Sequence, residues 1–213
     1  MKIFLDNADI EQISHFRSLG IIDGVTTNPT MLRSIGSKDL DRHLCEIANL
    51  VDELHVEALG DTVEQIVSAA RGNYGLGGSI VSKIPIGEDG LAAVQILRNE
   101  GIATNLHLVF SVNQAILAAK AGAEYICPLI GRLNDSGAEG FEILGEIVTV
   151  LRAEEDFTTM VMASSIRSPE DVRRASLVGV DAITIPSEVL SKCLIHPLTT
   201  QGVEIFKRDS KRR

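Results

Sequence analysis

Lys83 stands in the run Ile80-Val-Ser-Lys-Ile-Pro-Ile86, among apolar neighbours where desolvation favours a neutral, nucleophilic amine over the ammonium. Such an amine, with carboxylates at hand, suits carbonyl chemistry. It attacks a ketone, water leaves, and the iminium draws in the electrons of a nearby carbon–carbon bond once a carboxylate removes a hydroxyl proton. Asp6 and Glu57, each at the end of a short apolar run, are the carboxylates that the sequence offers. The reaction needs no metal, and the chain has no histidine pair at metal-ligand spacing. The plainer alternative for Lys83 is a buried ion pair with Glu57 or Asp6.

Residues so far apart in sequence need a fold that gathers them. Apolar runs predict strands over 2–6, 22–26, 54–58, 79–84, 103–110, 125–129, 158–163 and 182–185. Amphipathic stretches between them predict helices over 8–19, 37–51, 61–71, 88–99, 112–121, 137–155, 169–177 and 188–194, with Ser37 as an N-cap. Eight such alternations predict an α/β chain folded as one (β/α)₈ TIM barrel over 1–213, with an extra C-terminal helix in the basic-ended tail 197–213. A doubly wound open sheet is the rival, but the glycine-rich phosphate loop after its first strand is missing. Strand side chains alternate faces. Ile3 and Leu5, Leu54 and Val56, Ile80 and Ile84, and Leu106 and Leu108 suit packing on helices. The opposite parity carries Asp6, Thr26, Asn28, Glu57, Lys83, Asn105, His107, Cys127 and Ser165 towards the strand C-termini, the end at which barrel enzymes place their chemistry. An Asp, a Glu and a Lys in one lumen are expensive to bury without a task, whereas His107 or Cys127 alone could be core filling.

Composition excludes several function classes. A net charge of −9 argues against nucleic-acid and membrane-surface partners, while leaving room for a small anionic substrate held by a local Arg cluster. Three scattered cysteines, Cys45, Cys127 and Cys193, suggest neither a disulfide framework nor a zinc site and fit a reducing cytoplasm. The N-terminus reaches acidic residues too soon for a signal peptide, and no apolar run has membrane-spanning length.

At these residues the sequence resembles the transaldolase family, in particular its short branch that includes the fructose-6-phosphate aldolases. The shared motifs are Phe4-Leu-Asp6 with Ala8, Asp23-Gly-Val-Thr-Thr-Asn-Pro29, Val56-Glu57, Lys83-Ile-Pro85, Thr104-Asn105 with Phe110-Ser111, Gly131-Arg132, Ser165-Ile-Arg167 and His196-Pro197-Leu198. The resemblance implies Lys83 as the Schiff-base lysine and Asp6 as the base that takes the C4 hydroxyl proton. It implies that Glu57 acts through a water, and that Asn28 and Asn105 hold the hydroxyls of a dihydroxyacetone unit. Thr26, Cys127 and Leu129 fall at substrate-facing positions. Arg132, Ser165 and Arg167 would hold a distal anion, with surface pairing as the alternative for the two arginines. No cofactor is implied. The partners implied are a sugar phosphate, an acceptor aldehyde and further copies of the chain, since short-branch relatives form decamers of two rings. Glu57 favours transfer to an acceptor, because the aldolases that release dihydroxyacetone carry Gln there.

The chain departs from the family where water and the distal end of the substrate are handled. His107 replaces a Thr that holds the catalytic water, Leu129 replaces Phe or Tyr, Cys127 replaces Ser or Ala, and Ser164 replaces Ala at a position whose parity points outward. Retained chemistry on an altered substrate is the reading, with a sugar sulfonate as an alternative donor. A dihydroxyacetone-releasing aldolase and a non-catalytic sugar-phosphate-binding protein are the remaining rivals.

Overall fold

The computed structural model describes residues 1–77 and 79–211; Gly78 and the tail residues Arg212 and Arg213 lie outside the described residues. Eight parallel strands, β1 (Lys2–Asp6), β2 (Gly24–Thr26), β3 (Leu54–Glu57), β4 (Ile80–Pro85), β5 (Thr104–Val109), β6 (Tyr125–Pro128), β7 (Met160–Ala163) and β8 (Ala182–Pro186), pair in sequence order and close into a barrel. The connecting helices are α1 (Ile10–Ser18), α2 (Pro29–Ile35), α3 (Leu40–Ala48), α4 (Val63–Gly75), α5 (Glu88–Asn99), α6 (Val112–Ala121), α7 (Ile130–Asp135), α8 (Gly140–Ala153), α9 (Pro169–Val178) and α10 (Ser187–Cys193). A last helix, α11 (Pro197–Ser210), follows the barrel. No helix among the described residues is long and apolar enough to cross a membrane.

The pleat separates two cores. Outward residues such as Leu5, Leu54, Val56, Ile84 and Leu106 pack against the helices in one large cluster. Inward residues Phe4, Val81, Tyr125, Cys127, Met162 and Ala182 form a smaller cluster that fills the barrel axis. Local chemistry sets the joints. Ser111 and Ser168 cap α6 and α9 by accepting the backbone N–H three residues on, and Pro169 at the first turn of α9 lacks only an N–H that would be unpaired there. Gly90 lets α5 sit close against β4, because a Cβ there would lie 2.2 Å from the Pro85 carbonyl oxygen.

The structure corrects the sequence reading in three places. Asp39, not Ser37, caps α3, since its carboxylate accepts the Arg42 N–H while the Ser37 hydroxyl donates to the Asp39 carbonyl. Two short helices, α2 and α7, stand where the sequence reading assigned no element. Leu108 does not continue the outward row. Strand β5 shifts register between His107 and Val109, and Leu108 takes φ +58, a left-handed conformation rare for a branched residue.

Candidate active site

At the C-terminal mouth of the barrel lies a cavity of about 590 Å³, within the range of small-molecule sites. Lys83 projects into it from β4, with 8% of its surface exposed. Its Nζ donates to the Thr27 carbonyl at 2.8 Å and stands 3.0 Å from Glu57 Oε1. The register of β3 on β4 sets Glu57 directly beside Lys83. The other carboxylate oxygen, Oε2, is 2.9 Å from His107 Nε2. These two atoms are close enough for an ion pair but out of line for a hydrogen bond, and each is buried without another partner. Burial alone would raise the Glu57 carboxyl, but His107 and Lys83 more than offset it and hold the group below the usual carboxylate range. A water or hydroxyl beside the pair can accept from one atom and donate to the other.

Asp6 faces the same cavity from β1. Its Oδ1 accepts from the Thr26 hydroxyl at 2.8 Å, and the Thr26 Oγ1 lies 2.6 Å from the Thr184 Oγ1. Since Thr26 gives its proton to Asp6, Thr184 is the donor in the second contact, and the pair fixes the carboxylate's orientation. Burial raises the proton affinity of Asp6 above that of an ordinary aspartate, with Thr26 and Lys83 only partly opposing it. One lumen therefore holds two carboxylates with opposite tendencies, the acid/base division expected of a catalytic pair.

Asn28 lines the cavity while its side-chain oxygen caps α2 by accepting the Met31 N–H, so its amide donors are what it can offer a ligand. Asn105 is wholly buried and absent from the cavity wall; it lies beside Lys83 in register, with its amide nitrogen 3.0 Å from His55 Nδ1 and its oxygen unpaired. Cys127 and Leu129 are on the wall, and burial pushes the Cys127 thiol up to about 11, too high for a thiolate role near neutrality.

The distal anion candidates separate. Arg132, on α7, is on the wall with Ser165, and among the described residues its guanidinium has no ion-pair partner. Ser165 is held at φ +58, and Gly131 makes that turn possible, since a Cβ there would fall 2.7 Å from the Ser165 hydroxyl. Arg167 does not reach the wall. It forms a two-pronged pair with Asp135 at the surface.

Several wall residues went unread in the sequence, and one, Ser164, was read as facing outward. Thr184 shares inward parity with Ala182, so alternation alone was enough to find it. Ser164 lines the cavity despite its parity, because the turn at Ser165 ends the regular pleat. Leu108, turned in by the bulge, and Leu59 and Met31 from loop and helix carry no periodic signal. Among the described residues no group of three or more His, Cys, Asp or Glu is placed to hold a metal.

Residues 3–212 match the family described as Transaldolase/Fructose-6-phosphate aldolase. A protein of Lactiplantibacillus plantarum named "Probable transaldolase" is 44% identical over 212 residues, 99% of this chain and 97% of its own. One of Methanococcus maripaludis with the same name is 43% identical over 210 residues, 98% of this chain and 97% of its own. Among solved structures, thiamine phosphate pyrophosphorylase from Pyrococcus furiosus superposes with a TM-score of 0.60 at 17% identity, covering 87% of this chain and 85% of its own, a likeness of fold alone.

Proposed function

From the chain's membership of the transaldolase/fructose-6-phosphate aldolase family, we propose that it cleaves the C3–C4 bond of a ketose bearing a distal anion and passes the dihydroxyacetone unit to an acceptor aldehyde. The observation that carries this reading is the seat of the Lys83 amine, between the Thr27 carbonyl and the Glu57 carboxylate in a cavity that Asp6 also faces. The amine adds to the C2 carbonyl, and the carbinolamine loses water to give an iminium. Glu57, with His107 beside it, handles the protons of that exchange through a water. Asp6 then takes the C4 hydroxyl proton, and the C3–C4 electrons move to the iminium nitrogen. The distal aldehyde leaves and an enamine remains on Lys83. The enamine carbon attacks the acceptor aldehyde, Asp6 returns its proton to the new alkoxide, and hydrolysis frees Lys83. No metal takes part in these steps, since the iminium is the electron sink.

A fructose 6-phosphate-like donor is the first reading for the substrate. A sulfonated ketose is the second, favoured by the position of Arg167: with that residue paired at the surface, Arg132 is the one arginine among the described residues on the cavity wall, a match for a singly charged tetrahedral anion. The test is a panel of phosphorylated, sulfonated and uncharged ketoses with several acceptor aldehydes, following both the distal aldehyde and free dihydroxyacetone. The proposal expects turnover of an anionic ketose that depends on acceptor. Free dihydroxyacetone at the same rate without acceptor would make the chain an aldolase, and no cleavage of any ketose would refute the proposal.

A further inference from the structure

Beneath the catalytic cavity the barrel axis contains a polar chain that the chemistry above does not use. Lys2 Nζ, at the opposite mouth, donates to Glu53 Oε2 at 3.0 Å and to the Tyr125 hydroxyl at 2.8 Å. Glu53 Oε1 lies 2.8 Å from Nε2 of His55, a ring with no exposed surface. The ring meets Phe4 and Tyr125 edge to face, each at 4.9 Å between centroids. Its second nitrogen, Nδ1, is the atom that contacts the Asn105 amide. Both ring nitrogens are thus engaged, and the Nδ1 contact ends on a residue that adjoins Lys83 in the β4–β5 register.

We propose that His55 is a positioning residue that fixes the amide of Asn105, so that Asn105 presents its oxygen, as an acceptor, beside Lys83. The chain of reasoning is one of donors and acceptors. The Glu53 carboxylate only accepts, so the His55 proton sits on Nε2. Burial opposes a second proton on the ring, so Nδ1 carries a lone pair. A lone pair facing the Asn105 oxygen would repel it, so the NH₂ side turns to the ring and the oxygen turns away. That oxygen is the buried, unpaired atom of the pair, and Asn105 adjoins Lys83 in the β4–β5 register. A buried acceptor left without a donor is costly to the resting protein, and a hydroxyl of a three-carbon unit attached to Lys83 would satisfy it. Asn28, whose oxygen is engaged in capping α2, offers donors instead. The two amides thus present opposite polarity to the ligand. The inference rests on the Schiff-base reading, and its failure can be told apart from failure of that reading.

The first test uses the unaltered protein. Imidazole nitrogen NMR on isotope-labelled histidine should show His55 as the Nε2–H tautomer near neutral pH. An Nδ1–H tautomer or an imidazolium overturns the proposal. The second test compares two variants. His55→Gln keeps both duties, with its NH₂ towards Glu53 and its oxygen towards Asn105. His55→Phe keeps the ring packing and loses both. Positioning predicts that His55→Phe lowers kcat/KM for the donor ketose about tenfold, one hydrogen bond's worth, while His55→Gln stays within about threefold of wild type. Packing alone predicts the reverse order. The third test is a cycle with Asn105→Ala, in which the double variant His55→Phe/Asn105→Ala should be no slower than Asn105→Ala itself. Multiplying losses would show that His55 does not act through Asn105. Borohydride trapping on wild-type protein is run beside these tests; without an adduct on Lys83 the Schiff-base reading fails first, whatever His55 does.

Discussion

Asp6 shows most plainly how a single residue couples stability to function. Its folded proton affinity is raised above the ordinary aspartate value of 3.8 by burial. Between that value and the raised one, the folded chain binds more protons than the unfolded chain, so this group's contribution to stability falls as pH rises through that window. At neutral pH, well above the ordinary aspartate value, the cost of burying this charge weighs on the folded state. Asp6→Asn should therefore raise the melting temperature at neutral pH, while the variant keeps an oxygen that can accept from Thr26. The same variant should cleave about 10²–10⁴-fold more slowly, the usual worth of a general base, with the Lys83 adduct accumulating. Cleavage at the wild-type rate would move the base elsewhere, with His107 the next candidate. For His107, Thr in its place should keep measurable activity because a hydroxyl can still hold water beside Glu57, whereas His107→Ala should slow formation of the Schiff base. Stopped-flow traces of adduct formation distinguish the two. Wild-type rates in both variants would leave His107 a space-filling residue.

At the scale of elements, alternation along the strands made most of the site legible. Asp6, Thr26, Asn28, Glu57, Lys83, His107 and Cys127 all face the cavity because each sits on the inward parity near the end of a strand. What was not legible lies where the pleat fails or the helix period is too short to register. The bulge brings Leu108 inward, and the turn at Ser165 brings Ser164 with it. Helices α2 and α7 span seven and six residues, too few for an apolar stripe to announce them, so Asn28 and Arg132 were legible as residues while the helices that carry them were not. Arg167 looked like an anion ligand because its partner, Asp135, lies 32 residues away and nothing local announces the pair. The polar plug of the barrel was also unread, and it yields a prediction at this scale. Burial would raise the Glu53 carboxyl, but contacts with His55, Tyr125 and Lys2 lower it to about 2 against an ordinary 4.5. Its stabilising contribution is complete above 4.5 and is lost as pH falls towards 2. Glu53→Gln should cost about 1–3 kcal/mol near neutrality and much less at the acid end of that window. Denaturant melts at the two ends check this; equal losses at both would contradict it.

At the scale of the whole molecule, one element among the described residues has no partner of its own. Helix α11 buries no residue, and Leu198 and Phe206 are 68% and 75% exposed. Apolar side chains at this density along one exposed helix call for a covering surface, and a further copy of the chain is the expected one. A homo-oligomer is therefore predicted, dissociating in Leu198→Glu/Phe206→Glu, with light scattering at micromolar concentration as the measurement. A monomeric wild type would refute it.

The central claim concerns Lys83, and one measurement reaches it directly. The protein is reduced with borohydride in the presence of a cleavable ketose, digested, and the modified peptide located by mass. The account predicts a secondary amine on Lys83, a loss of turnover of at least about 10³-fold in Lys83→Met, and no adduct in that folded variant. An adduct on a different lysine, or sustained turnover by Lys83→Met, would contradict it.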